Sequence, residues 1–204
     1  MVQKVEKPRG RPRRYDPEAA LDSVLDVFWR AGYSAASLDD ICEATGMNRP
    51  SVYAAFGDKR ALYLRSIERY KAISRAQMTT AFSSEAPVRD VLKEVYSRAL
   101  DMYFSGHDTP LGCFMVGAVI SDAVDDEEIR KELSTGLENF DDAFTRRIKR
   151  AQRDGEIGKD RDAGALGKLA SATLYYLAVR SRAGEDRKTL EEFADATIDL
   201  ICAK

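Results

Sequence analysis

Histidine occurs once in the 204 residues, as His107, and tryptophan once. The three cysteines, Cys42, Cys113 and Cys202, are odd in number, widely spaced and without a CxxC pair. That pattern excludes a disulfide framework and a structural zinc site, and the lone histidine excludes a His-based metal cluster. There is no Gly-rich phosphate loop and no G-x-S-x-G elbow, so the usual hydrolytic and nucleotide-dependent constellations cannot be assembled. The carboxylates Asp122, Asp125, Asp126, Glu127 and Glu128 read as a helix start, which attracts acids without any chemistry. The chain is therefore expected to be no enzyme and to carry neither metal nor cofactor. Long apolar runs are missing too. The longest, Leu111 to Ile120, is far shorter than the ~18 residues that span a bilayer, and the N-terminus lacks an apolar signal stretch. A cytoplasmic protein without a membrane partner is the expectation.

What is present is a globular composition, 44% apolar and 32% charged, long enough for one domain or two small ones. The net charge of -2 hides an asymmetry. Residues 1–14 carry Lys4, Lys7, Arg9, Arg11, Arg13 and Arg14 against Glu6, a charge of +5, which leaves -7 for the remainder. Rich in Pro, Gly and like charge, this stretch cannot fold alone. As a flexible basic arm, its Arg9, Arg11, Arg13 and Arg14 suit a narrow A·T-rich minor groove.

Asp16 caps a first helix with Pro17 at its first position, and Leu21, Val24, Leu25 and Phe28 repeat at helical spacing as a core stripe. Ser37 and Asp40 then form an acidic capping box that opens a short second helix, which Gly46 ends in a left-handed turn. Asn48 caps a third, with Pro50 in its first turn and Val52 and Phe56 pointing inward. Two short helices joined by such a turn are a helix-turn-helix, whose second helix lies in the major groove of DNA. Asn48, Arg49 and Ser51 then face base edges, since Arg forks onto guanine and Asn onto adenine. Tyr53 and Lys59 suit phosphate oxygens, and Ser37 belongs to the same surface.

The run from Phe28 to Tyr63, F-W-R-A-G-Y-S-A-A-S-L-D-D-I-C-E-A-T-G-M-N-R-P-S-V-Y-A-A-F-G-D-K-R-A-L-Y, resembles the tetracycline-repressor (TetR) family of transcriptional regulators. Gly32 and Tyr33, Ser37, Gly46, Tyr53, Phe56, Lys59, Ala61 and Leu62 all fall where that pattern places them. The resemblance covers residues 15 to 70 closely and the rest only in general organisation. It implies an all-α chain, with an N-terminal three-helix helix-turn-helix head over 15–65 behind the arm of 1–14. A C-terminal helical bundle for effector binding and dimerisation then occupies 66–204.

The body reads as helices throughout. One runs from Asp58 to about Phe82; another carries Val88 to Phe104. The apolar run Leu111–Ile120 is predicted as a buried helix. A long one follows from Asp125–Glu128 to about Gln152, and two more occupy about 162–182 and 187–203. In the family the last two helices pair across a homodimer. A two-fold dimer presents two recognition helices and so requires a palindromic double-stranded operator. The resemblance also implies a small apolar or aromatic effector that releases DNA. Its candidate lining residues are Tyr96, Met102, Tyr103, Phe104, His107, Cys113, Phe114, Met115, Phe140, Phe144 and Tyr176. Two alternatives stay open. Cys113, after Gly112 at a helix start, resembles the thiol of electrophile- or oxidant-sensing relatives, where a helix N-terminus lowers the pKa. A constitutive DNA-binding protein with a protein partner is the other.

Overall fold

The computed structural model describes residues 16–106 and 108–203; these contain helices and no strand. The predicted arm, with Arg9, Arg11, Arg13 and Arg14, lies outside the described residues, as does His107. Helix α1 (Pro17–Ala35) starts at Asp16, whose carboxylate accepts from Glu18 N, and is interrupted at Gly32, where φ is +74°. Helix α2 (Leu38–Thr45) has the reciprocal capping box. Ser37 N donates to Asp40 Oδ2 at 2.8 Å and Asp40 N donates to Ser37 Oγ at 3.1 Å. Gly46 ends it at φ +66°, and Asn48 then opens α3 (Arg49–Phe56) by accepting from Ser51 N. Ile41, Val52 and Phe56 are buried beneath the pair, with Leu25 and Phe28 of α1.

Helix α4 (Lys59–Ser83) is capped by Asp58 and runs unbroken from the head into the body, so the expected division after residue 65 falls inside one helix. It packs on α1 and on α5 (Val88–Phe104). An aromatic cluster welds the junction. Tyr63 of α4 lies edge-on to Phe28 at 4.9 Å and to Phe114 at 5.9 Å between ring centroids, and Tyr70 meets Trp29 at 5.0 Å.

The apolar run 111–120 departs from the buried helix predicted for it. Gly112 adopts φ +66°, and a Cβ there would sit 2.3 Å from the Ala178 carbonyl oxygen, so the chain stays irregular where it crosses the neighbouring helix. Helix begins at Phe114 as a π turn over Met115–Val119, continues as α6 (Ile120–Asp122), and leaves Ile120 exposed. Beyond it come α7 (Glu127–Arg153), α8 (Ala163–Arg182) and α9 (Arg187–Ile201). Helix α8 is the centre of the body, packed against α5, α7, α9 and the π turn. It approaches α7 closely at Gly167, where a Cβ would meet Thr145 N at 2.8 Å and Cα at 2.9 Å. Among the described residues no helix is long and apolar enough to cross a membrane.

Candidate nucleic-acid interface and effector cavity

The exposed surface of α3 and its cap consists of Asn48, Arg49, Pro50, Tyr53 and Ala54. Asn48 spends its carbonyl oxygen on the cap, 2.9 Å from Ser51 N, and leaves its amide N–H groups for a partner. Arg49 is held. Its Nε and Nη2 donate to Asp39 in the first turn of α2 at 3.1, 2.8 and 2.7 Å, and that carboxylate raises the guanidinium's pKa further. The two helix N-termini are thereby joined through an exposed bidentate pair. Ser37 is committed within α2: its hydroxyl donates to Asp40 at 2.7 Å, and that bond lowers the Asp40 pKa. Ser51 is half-buried and Tyr53 exposed. Lys59 Nζ lies over the Tyr33 ring, 4.6 Å from its centroid, which fixes its direction at the start of α4.

Asp39 and Arg65 were not singled out in the sequence. Arg65 Nη1 donates to Ala55 O at 3.1 Å and its guanidinium lies 4.9 Å from the Phe56 ring, clasping the C-terminus of α3 to α4. Arg65 stands nine residues beyond the end of α3, inside α4, so no local signal marked it.

Helix α4 also meets the body through polar links. Arg60 donates to Asp126 at 2.8 and 3.0 Å and to Glu128 at 2.7 Å, Tyr63 OH donates to Asp122 at 2.6 Å, and Lys71 pairs with Glu132 at 2.6 Å. Below them α4, α7, the π turn and Tyr175 of α8 enclose a cavity of about 530 Å³, within the range of small-molecule sites.

Of the residues predicted for an effector, Cys113, Met115 and Phe140 line this cavity, and Met102 and Tyr103 line a small void of about 20 Å³ that shares its wall. Tyr96, Phe104, Phe114, Phe144 and Tyr176 line neither. Phe114 fills the aromatic junction, Phe144 packs edge-on to Phe82, and Tyr96 donates to Ala170 O at 3.0 Å. Tyr176 points outward and stacks on Phe193 at 4.0 Å. What the sequence reading passed over is the α4 stripe Tyr70, Ser74, Met78 and Phe82, at strict four-residue spacing, and the cationic stretch of α7. Ser74 broke the apolar pattern that would have marked the stripe.

Cys113 corrects the expectation of a lowered thiol pKa. Burial raises it, outweighing Tyr70 and the backbone N–H groups of Val116 and Met115, which favour the thiolate. Among the described residues no group of His, Cys, Asp and Glu has the arrangement of a metal site.

Residues 20–65 match the family model of bacterial regulatory proteins of the tetR family, and residues 98–197 match a tetracyclin repressor-like C-terminal domain. The chain is 32% identical over 203 residues to the HTH-type transcriptional repressor ComR of Escherichia coli K12, covering 98% of this chain and 95% of that one. A cysteine mutant of the TetR family transcriptional regulator CifR, complexed with 26-bp double-strand operator DNA, superposes with a TM-score of 0.83. Identity to it is 27%, over 92% of this chain and 98% of that one. The reduced form of E. coli NemR shares the fold, with a TM-score of 0.79 at 18% identity over 92% and 96% of the two chains.

Proposed function

The chain belongs to the tetR family of bacterial regulatory proteins, DNA-binding transcriptional repressors and not enzymes, and on that premise we propose that it grips a palindromic operator as a homodimer and releases it when a small molecule fills the 530 Å³ cavity. The observation that carries the release step is the double role of α4. The helix that walls the cavity with Tyr70, Ser74, Met78 and Phe82 also holds α3 through Arg65 and meets α6 and α7 through Tyr63 and Arg60. A ligand that wedges α4 from α7 displaces the reading helix, provided it binds the displaced form better. A coupling of about 5- to 150-fold is ordinary for such a device.

Support for the dimer is the apolar outer face of α8 and α9. Leu169, Tyr176 and Val179, at helical spacing on α8, stand exposed beside Phe193 and Leu200 of α9. On the DNA side, Arg49 and Asn48 are assigned to base edges, Tyr53 and Lys59 to the backbone, and the basic arm to the minor groove. Fluorescence anisotropy with DNA from upstream of the chain's own gene and with a scrambled control, at two salt concentrations, tests the reading. A preference of about a thousandfold for the native fragment is expected. Equal, steeply salt-dependent binding to both would mean that only phosphate is read.

A further inference from the structure

Taking the cavity as the effector site proposed above, its walls specify the charge of the occupant. Six cationic side chains, Lys71, Arg75, Arg146, Arg147, Arg150 and Arg153, line it, and no Asp or Glu does. Several of these cations are paired toward the rim, Lys71 with Glu132, Arg146 with Asp142, and Arg150 with Glu85 and Asp154.

Arg147 differs from them. Its side chain is 2% exposed, and only Nη2 is engaged, donating to Ala86 O at 2.6 Å and lying 3.7 Å from Glu156 Oε1. The other Glu156 oxygen accepts from Val88 N. Arg147 Nε and Nη1 are buried without an acceptor among the described residues, and so is the hydroxyl of Tyr175 on α8. The nearby Ser171 hydroxyl donates to Asp141 and moderates the Tyr175 pKa without forming a hydrogen bond of normal geometry to the phenol. Burial nonetheless pushes Tyr175 up to about 12, so at neutral pH it offers a proton. Desolvated donors, charged ones above all, are rarely left without an acceptor in a native fold. Met78, Phe82, Met115, Leu137 and Phe140 form an apolar part of the wall, beside the uncharged Ser74, Thr79, Ser83 and Asn139.

We propose that the effector is an amphipathic anion, its aromatic or aliphatic body lying on Met78, Phe82, Leu137 and Phe140 and its oxyanion head accepting from Arg147 Nε and Nη1 and from the Tyr175 hydroxyl. A guanidinium offers such a head charge and several directed N–H groups at once. A neutral or cationic ligand of the same body leaves those donors unpaired or repelled.

Two fluorescent probes with a shared body separate the possibilities: 1-anilinonaphthalene-8-sulfonate and its uncharged counterpart N-phenyl-1-naphthylamine, titrated into the full chain. The sulfonate is expected to bind about tenfold or more tightly than the neutral probe, although the neutral one gains more from leaving water. Arg147→Met should abolish that preference. Tyr175→Phe, which removes one oxygen without disturbing packing, should shrink it and keeps the test valid if the buried arginine is needed for folding. Gly136→Leu should abolish binding of both probes, because Gly136 lines the cavity and a Cβ there meets only Met115 Cε, at an ordinary 3.6 Å. Equal or tighter binding of the neutral probe overturns the assignment, as does unchanged sulfonate binding in Gly136→Leu or no binding of either probe. If a neutral compound releases operator DNA, the anion assignment falls while the effector-released repressor stands; if the sulfonate binds in the cavity and operator affinity is unmoved, it is the release step that falls.

Discussion

Arg49 is the residue on which we place base reading, and its guanidinium already holds the Asp39 carboxylate. Asp39 orients the guanidinium and offsets part of its charge, which on the proposed reading favours directed base contacts over phosphate. Asp39→Ala is expected to raise affinity for random DNA, steepen its salt dependence and narrow the gap between operator and scrambled fragment. Arg49→Ala should relax base preference, at about 1 to 3 kcal/mol per lost contact, whereas Lys59→Ala should weaken all sequences alike. Anisotropy titrations on the two DNAs check all three. Asp126 is the second residue with a definite consequence. Arg60 first, then the N–H groups that open α7, hold its carboxyl down to about 2 from 3.8. Folding lowers this pKa, so its stabilisation is fully present above about pH 4 and is lost as pH falls through 2. Circular-dichroism melts should show Asp126→Asn losing less thermal stability than the parent over that acid range. If both fall in parallel, the pair contributes nothing to acid sensitivity.

At the scale of elements, what decides the geometry is how closely helices approach. Gly167 lets the α7 backbone within contact distance of α8, and Gly112 lets the irregular entry to the π turn lie on α8. Gly155, at φ +78°, has open space around it. Gly155→Ala should cost only the left-handed backbone, about 1 kcal/mol, whereas Gly167→Ala must move Thr145 and should cost about 2 kcal/mol or more. Urea melts compare them, and equal costs would mean that the α7–α8 contact yields easily. Helix α4 shows the other side of element behaviour. Tyr63, fully buried, ties its first turns to Asp122. Tyr63→Phe should lower stability by about 1 kcal/mol and reduce the loss of operator affinity that a cavity ligand produces.

For the whole molecule, the proposed homodimer is placed on the exposed apolar face of α8 and α9. Val179, 53% exposed, belongs to that face on α8, three residues after Tyr176, which stacks on Phe193. Val179→Asp places a charge in that face and is expected to yield a 22.8 kDa monomer by sedimentation, with operator affinity reduced by far more than random-DNA affinity. A dimer unchanged in mass would move the interface elsewhere on the chain.

The sequence by itself determined the head and the order of helices. Ser37, Gly46, Asn48, Gly57 and Asp58 are capping residues whose preference is local, acting within about one turn and independent of the rest of the chain. Apolar periodicity likewise marked the inward face of α1. Only the tertiary structure decided which inward residues fill a core and which line a void, because Phe114, Phe144 and Phe140 have the same chemistry and differ only in what lies opposite. It also decided that Arg49 meets Asp39, that the half-buried Cys113 is desolvated enough to outweigh its N–H donors, and that Gly112 breaks the apolar helix predicted for 111–120. Each of these depends on a second element reaching the same place. That reach is set by packing across the chain and leaves no local mark on residue spacing.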